Sequence, residues 1–292
     1  MNILDGKLVS DTLKNDIKTQ VTTLLDKDIN PHLAAIIVGD DPASQTYVSA
    51  KEKACKEVGI ISTLYRLDKN TSEQQLLETI EFINNDPEIH GVIVQLPLPK
   101  HISEDTILHS IRPEKDVDGF HPVNMGRMSL GLPAYLPATP NGIIEILKYY
   151  KIETEGKHCV VLGRSHIVGL PISIMMGQKN YPGNATVTLC HSKTTNLKEI
   201  MLQADILIVA IGSPLFVTAD MVKQDAVVID VGIHRLPDET KKNGFRLAGD
   251  VDFEEVSKKT SYITPVPGGV GPMTIVSLLM NTLKSATKGI YH

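Results

Sequence analysis

The chain has 292 residues, 42% hydrophobic and 22% charged; at roughly 150 residues per domain, that length suggests two domains with cores of their own. Lysine and arginine (29) against aspartate and glutamate (34) leave a net charge of −5, with no positive excess for a nucleic-acid backbone or an anionic membrane. No apolar run approaches the ~18 residues of a bilayer span, the MNILDGKLVSD start lacks an apolar leader, and Cys55, Cys159 and Cys190 share no paired spacing, which together fit a reducing cytoplasmic compartment without a disulfide framework.

Residues 7–25 carry Leu8, Val9, Leu13, Ile17, Val21, Leu24 and Leu25 at helical spacing. Residues 33–38 (LAAIIV) are a continuous apolar run ending at Gly39, as a buried strand does. A helix over 43–57 stops before Gly59, and a strand covers 60–67. Thr71-Ser72 followed by Glu73, Gln74 and Gln75 predicts a capped helix over 72–84. A third strand (91–95, GVIVQ) and a shorter helix (103–111) follow. Residues 131–142 (GLPAYLPATPNG) hold three prolines and two glycines, a stiff crossing between domains.

The alternation then restarts with a helix over 141–151, a strand over 158–162 and a helix over 169–179. Strands at 185–190, 205–210 and 226–231 and a helix at 197–202 come next. A second crossing (263–272, ITPVPGGVGP) precedes a last helix over 274–287. The expected fold is two α/β domains with parallel sheets, the second Rossmann-like, and a C-terminal helix that returns to the first. The expected boundaries are 1–138 with 272–292, and 139–271.

Several segments carry chemistry. In HCVVLGRSHIVGLP (158–171) a strand, a tight turn and a helix start form an anion-binding corner. Gly163 and Gly169 stand six apart, and Ser165 occupies the place of the second glycine in a dinucleotide fingerprint. An NAD site keeps an acidic residue after the next strand; here Cys190 is followed by His191, Ser192, Lys193 and Thr194. That set, with Arg164, suits a 2′-phosphate and favours NADP, while an exposed polar turn is the competing reading.

Tyr47 and Lys51 stand one helical turn apart, so phenol and ammonium can reach one spot. A solvated helix face is the plainer explanation. Short-chain dehydrogenases share that spacing, but their glycine turn precedes it, the reverse of the order here. Gln95 ends the GVIVQLPLP strand (91–99), where open α/β sheets take ligands. In RPEKDVDGFHPVN (112–124), Asp116 or Asp118 could accept hydrogen bonds from an amino-heterocycle or serve only the turn. No further ligand spacing accompanies them, so no metal is expected. Gly268, Gly269 and Gly271 allow close backbone approach, or a hinge.

Together these segments resemble the bifunctional methylenetetrahydrofolate dehydrogenase/cyclohydrolase family. The matching pieces are Tyr47-x-x-x-Lys51, GVIVQLPLP, KDVDGFHPVN (115–124), PATPNG (137–142), VLGRSHIVGLP (161–171), CHSKT (190–194), VIDVGI (228–233), GDVDF (249–253) and PGGVGPMT (267–274), in family order. The resemblance implies oxidation of 5,10-methylenetetrahydrofolate with NADP, then hydrolysis of the methenyl product to 10-formyltetrahydrofolate. It implies a catalytic set of Lys51, Gln95, Tyr47 and Asp118. In that set Lys51 and Gln95 move the proton of hydrolysis, Tyr47 packs on the folate ring system and Asp118 anchors the pterin. It places Leu98, Pro267, Gly268 and Gly269 beside the folate, and Gly163, Arg164, Ser165, Ser192 and Ile233 at NADP. A folate-binding first domain, an NADP-binding second domain, a homodimer and a role in purine biosynthesis are implied by the same resemblance. The family usually has cysteine where Ala138 stands, and KNYPGNATV (179–187) is longer than in many relatives. Retention of Lys51 and Gln95 favours two activities and His191-Ser192-Lys193 favours NADP, against a monofunctional NAD-dependent dehydrogenase; Tyr47, Lys51, Gln95 and Asp118 together argue against an inactive dinucleotide-binding regulator.

Overall fold

The computed structural model describes residues 2–241 and 244–291. In chain order the elements are β1 (Asn2–Ile3), α1 (Gly6–Leu25), β2 (His32–Val38), α2 (Pro42–Val58) and β3 (Ile61–Leu67). Next come α3 (Glu73–Asn85), β4 (Gly91–Val94), α4 (Glu104–Ser110), α5 (Pro122–Ser129) and α6 (Ala138–Tyr149). The second half holds β5 (His158–Leu162), α7 (Gly169–Gly177), β6 (Thr186–Cys190), α8 (Leu197–Met201), β7 (Ile206–Val209) and β8 (Val227–Asp230). It closes with β9 (His234–Pro237), β10 (Phe245–Ala248), α9 (Phe253–Val256), β11 (Tyr262–Ile263) and α10 (Val270–Ala286).

The chain divides into two compact units, Asp11–Ala138 with Ile275–His292, and Met1–Ser10 with Thr139–Thr274. This differs from the expected boundaries at the start of the chain. Residues 1–10 were expected with the first domain. They join the second because Asn2 and Ile3 pair in parallel with Tyr262 and Ile263, and Lys7 N–H donates to the Gly268 carbonyl.

The first unit is built on a parallel sheet in the order β3-β2-β4. Alternation along the strands sorts its core into two layers. Leu33, Ala35 and Ile93 pack with Ile17 and Val21 of α1, Ala54 and Val58 of α2, and Val276, Leu279 and Leu283 of α10. Ala34, Ile36, Val92 and Val94 pack on the other face with Leu76, Ile80 and Ile83 of α3 and Ile107 of α4. α3 starts where expected, with a capping box in which Ser72 and Gln75 exchange hydrogen bonds. Each fully buried Ile of α3 contributes about 2–5 kcal/mol against truncation to Ala. The C-terminal helix serves this unit from Ile275 onward, as expected.

The second unit carries a six-stranded parallel sheet in the order β1-β11-β8-β7-β5-β6, the Rossmann-like element of the expected fold, and a separate antiparallel pair, β9 with β10. Val160, Leu162, Leu207, Val209 and Val228 line one face with Met201, Val217, Val222, Val251 and Val256. α7 is apolar all round and packs on β5 and β6. No helix among the described residues is long and apolar enough to cross a membrane.

Candidate functional site

In the first unit β2 lies between β3 and β4: the chain passes from β2 to β3 on one side and then crosses back to β4 on the other, so the strand order reverses between β2 and β4. Ligands of open α/β sheets bind beyond the carboxyl ends of strands at such a switch point. Gln95 stands there, directly after β4. Its N–H donates to the Ile36 carbonyl (2.9 Å), and its side-chain amide donates to the Leu96 carbonyl (2.8 Å). Gln95 Oε1 therefore faces Lys51, whose Nζ donates to it at 3.2 Å. α2 holds Lys51 in register: Asp41 caps it by accepting the Ser44 N–H (2.7 Å), Pro42 opens it, and Gly59 closes it at φ +87°. Tyr47 lies one turn earlier on α2 and is 47% exposed.

The structure separates the two aspartates that the sequence leaves as alternatives. Asp116 is buried, and its carboxylate accepts the N–H groups of Phe120 (3.2 Å) and His121 (2.8 Å) and the Asn124 side-chain amide (2.9 Å). Burial pushes its carboxyl up to about 7, against the pull of those donors and with Asp118 nearby adding to the rise. Asp116 thus shapes the turn. Asp118 accepts no hydrogen bond among the described residues. Burial pushes its carboxyl above the ordinary range, and the Lys51 ammonium draws it back. The turn directly after Asp118 needs Gly119 (φ +75°), where a Cβ would meet Leu136 backbone at 2.6 Å.

Leu98 is 9% exposed, and its side chain packs in the cluster with Ile102 and Ile107.

In the second unit β5 lies between β6 and β7, another switch point. Gly163 follows β5 at φ +121°, and a Cβ there would stand 2.1 Å from the Ala210 carbonyl oxygen after β7. A Cβ on Gly169 would stand 1.9 Å from the Gly163 oxygen. Both positions therefore require glycine. Ser165 Oγ accepts the N–H groups of Val168 (3.2 Å) and Gly169 (3.4 Å), so it shapes the turn while its own proton stays available. Arg164 and Ser165 are exposed, as are Ser192 and Lys193 beyond β6. No carboxylate follows β6; the turn is held by His191 N–H to Thr194 Oγ1 (2.9 Å) and Lys193 N–H to His191 Nδ1 (3.1 Å). Arg164 and Lys193 form no ion pair among the described residues. Cradle and charge together fit a dinucleotide bearing an additional phosphate.

Ile233, after β8, is 49% exposed. Pro267 is exposed and Gly268 (φ +101°) half-buried. Gly269 is buried, and a Cβ there would meet the Pro265 oxygen at 2.5 Å. Packing of the chain alone therefore leaves no room for a side chain there. Tyr47, Lys51, Gln95, Leu98 and Asp118 fall in the first unit, and the remaining predicted residues in the second. No group of three or more His, Cys, Asp or Glu that could hold a metal ion occurs among the described residues.

Sequence reasoning passes over two sets of residues. In the first unit the buried Asn281 of α10 donates to the carbonyls of Val117 and Leu136 (both 2.9 Å), fixing the backbone just before Asp118. Ser285, one turn on, donates to the carbonyls of His90 (2.6 Å) and Glu114 (3.0 Å). The available signal is Ser277, Asn281 and Ser285, a polar stripe at four-residue spacing on a largely apolar helix. In the second unit Asp230 Oδ1 accepts the N–H groups of Gly232 (2.9 Å) and Asp250 (3.0 Å), and its Oδ2 accepts that of Val251 (3.0 Å). Asp250 in turn accepts from Ile211 N–H (2.8 Å), Gly212 N–H (3.1 Å) and His234 Nε2 (2.7 Å).

The profile described as "Tetrahydrofolate dehydrogenase/cyclohydrolase, catalytic domain" matches residues 4–118, and that described as "Tetrahydrofolate dehydrogenase/cyclohydrolase, NAD(P)-binding domain" matches residues 137–290. The chain is 63% identical over 287 residues to the bifunctional protein FolD of Cytophaga hutchinsonii, covering 98% of this chain and 99% of that one. A crystal structure of the bifunctional FolD dehydrogenase/cyclohydrolase of Campylobacter jejuni is 51% identical, covers 99% of each chain and superposes with a TM-score of 0.93. The Trypanosoma brucei enzyme, solved with NADP and an inhibitor, is 37% identical with a TM-score of 0.92, over 99% of this chain and 98% of that one. Two matched profiles and near-complete coverage at these identities place the chain in the tetrahydrofolate dehydrogenase/cyclohydrolase family.

Proposed function

We propose that the groups at the two switch points carry out the two reactions of this family. The chain is an NADP-dependent methylenetetrahydrofolate dehydrogenase and methenyltetrahydrofolate cyclohydrolase of one-carbon metabolism. The first unit takes the folate. Asp118, which accepts no hydrogen bond among the described residues, receives the N–H donors of the pterin edge. Tyr47 lays its exposed ring against the folate ring system. Pro267 and Gly268 are further folate contacts, through an exposed ring and main chain.

The second unit takes NADP. Gly163 and Gly169 let its backbone approach the pyrophosphate, and Ser165 offers its hydroxyl proton. Arg164 and Ser192 take the 2′-phosphate, and Ile233 offers an apolar surface. NADP when bound supplies the hydride acceptor. The protein's part in that step is positioning, because hydride transfer needs donor and acceptor carbons near contact.

Hydrolysis of the methenyl product requires a proton to leave the attacking water and one to reach the departing ring nitrogen. Lys51 carries that proton, and Gln95 aims its Nζ through the 3.2 Å hydrogen bond. The observation that supports this reading most directly is the Lys51–Gln95 pair beside an Asp118 carboxylate left without a donor. The reading extends to a cytoplasmic homodimer that supplies one-carbon units for purine biosynthesis.

The test supplies 5,10-methylenetetrahydrofolate and NADP to one purified sample and follows NADPH and methenyl absorbance together. NADPH formation with methenyl decaying faster than in an enzyme-free control is the expected result. Persistent methenyl would reduce Lys51 and Gln95 to binding groups.

A further inference from the structure

The carboxylate of Asp250 is fully buried and joins two loops that emerge at the carboxyl ends of neighbouring strands. One is the loop after β7, held by the Ile211 and Gly212 N–H groups on Oδ2. The other is the segment after β8, held by His234 on Oδ1. Those strands lie side by side, with Ile208 opposite Ile229 and Val209 opposite Asp230. The same edge carries Ala210, whose carbonyl packs on Gly163 of the phosphate-binding corner. His234 is the residue after Ile233, and its ring is mostly covered, with 19% of the side chain accessible.

The surroundings leave this arrangement little freedom. Gly232 has no room for a side chain, because a Cβ would meet the Asp250 carboxyl carbon at 2.5 Å. Gly249 has none either, because a Cβ would meet Asp230 Oδ2 at 1.8 Å. Asp230 spends both oxygens on the backbone of Gly232, Asp250 and Val251. The backbone on both sides of Ile233 is thus tied down, by Asp230 through Gly232 and by Asp250 through His234. His234 also pairs with Ala248 at the start of the β9–β10 ribbon. Ile233 itself stays 49% exposed, an apolar side chain on a tied-down backbone just beyond the carboxyl end of β8.

We infer that His234 and Asp250 are positioning residues for the dinucleotide: the Nε2–H of His234, bonded to the buried Asp250 carboxylate, sets where Ile233 meets NADP. The inference rests on the assignment of Ile233 to the cofactor site. Neither His234 nor Asp250 touches the reacting atoms. Their effect lies in removing alternative positions of the 231–234 segment before the cofactor arrives, so binding does not carry that ordering cost.

The test compares His234→Ala, His234→Gln, Ile233→Ala and the double variant His234→Ala/Ile233→Ala. The readouts are NADP dissociation constants by calorimetry on the cofactor-free protein, steady-state kinetics, and exchange of the Ile211 and Gly212 amide protons. The expected result for His234→Ala is NADP binding about five-fold weaker, the size of one lost hydrogen bond. Dehydrogenase kcat at saturating NADP changes far less than KM. The Gln side chain places its amide nitrogen close to the position of His Nε2, so His234→Gln recovers most of the affinity. It also guards against a simple loss of folding. The double variant binds NADP no more than about two-fold more weakly than Ile233→Ala, because removing the side chain leaves little for His234 to position.

Parent-like affinity in His234→Ala, or losses that multiply in the double variant, would overturn the inference while leaving Ile233 in the cofactor site. Parent-like affinity in Ile233→Ala would instead remove Ile233 from that site, and the inference with it.

Discussion

The two aspartates of the KDVDG segment make opposite predictions, and replacing each in turn tests the assignment of the site. Asp116 accepts three donors in a buried turn. Asp116→Ala strands all three, so at about 1 kcal/mol per lost bond the variant loses about 3 kcal/mol of stability. Asp118 accepts none among the described residues, and burial holds its carboxyl above the ordinary range. A carboxyl whose folded-state pKa is raised contributes stability below its unfolded pKa and loses that contribution as pH rises through the folded value. At pH 7.5, well above its unfolded value, the buried Asp118 carboxyl therefore opposes folding, less the attraction of Lys51. Asp118→Asn is expected to be neutral or stabilising at pH 7.5, an advantage that shrinks toward pH 4. The same variant loses tightness for folate, with KM rising by about ten-fold or more as a charge-assisted hydrogen bond weakens. Thermal unfolding at the two pH values and dehydrogenase kinetics on one preparation give both numbers. A loss above about 1 kcal/mol in Asp118→Asn at pH 7.5, with unchanged KM for folate, would refute the reasoning, since Asp118 would then belong to the scaffold.

Lys51→Gln is expected to cut cyclohydrolase turnover by about 10²-fold or more, the usual worth of a positioned proton carrier, and to leave NADP affinity within two-fold; full cyclohydrolase activity with intact folate binding would end the assignment. Arg164→Gln is expected to weaken NADP by roughly ten-fold or more and NAD hardly at all, because only NADP presents the extra phosphate to a guanidinium; calorimetry with both cofactors reads the difference. Burial lowers the pKa values of His32, His90 and His121. A lowered folded-state value means stability that is present above about pH 6.5, the unfolded value, and is lost as pH falls through the folded one. Asp116 and Asp230, raised to about 7 and about 6, run the other way over that range. The effect is therefore read as a difference: His90→Gln is expected to lose less stability than the parent between pH 6.5 and 5, and equal losses would contradict it.

Much of the fold was legible because its strands are buried on both faces. LAAIIV, HCVVL and the run at 206–209 are unbroken apolar stretches, and helices at heptad-like spacing separate them. What was missed lacks such a pattern. β1 is two exposed residues whose pairing partner, β11, is some 260 positions away, so no local signal exists. α5 contains Gly126 and only a short apolar stripe, and depends on a cap from His121. β9 and β10 carry Arg235, Pro237 and Arg246, and alternate half-buried with exposed residues. The glycines and Gln95 of the site were legible because chain geometry at strand ends limits what can stand there. The Asp230–Asp250–His234 arrangement was not, because residues 20 apart meet only after β8 and the β9–β10 ribbon have formed.

One physical rule separates the residues that build these sites from those that use them. A polar side chain whose hydrogen-bonding capacity is filled by the protein has been spent on shape, and Asp116, Asp230, Asp250 and Asn124 are of that kind. A polar side chain left short of partners near a switch point must find them in solvent or in a ligand, and among the described residues Asp118, Arg164 and Lys193 are of that kind. Ser165 stands on the border. Its oxygen is occupied by the Val168 and Gly169 N–H groups while its proton is not. That accounts for the altered fingerprint: where a second glycine would let a phosphate approach bare backbone, this turn draws two of its own N–H groups inward and presents a hydroxyl instead. The sequence motif alone reads as a defective glycine pattern; the hydrogen bonds show a turn closed by the Ser165 oxygen, and on the function proposed above its hydroxyl is what the turn offers an anion.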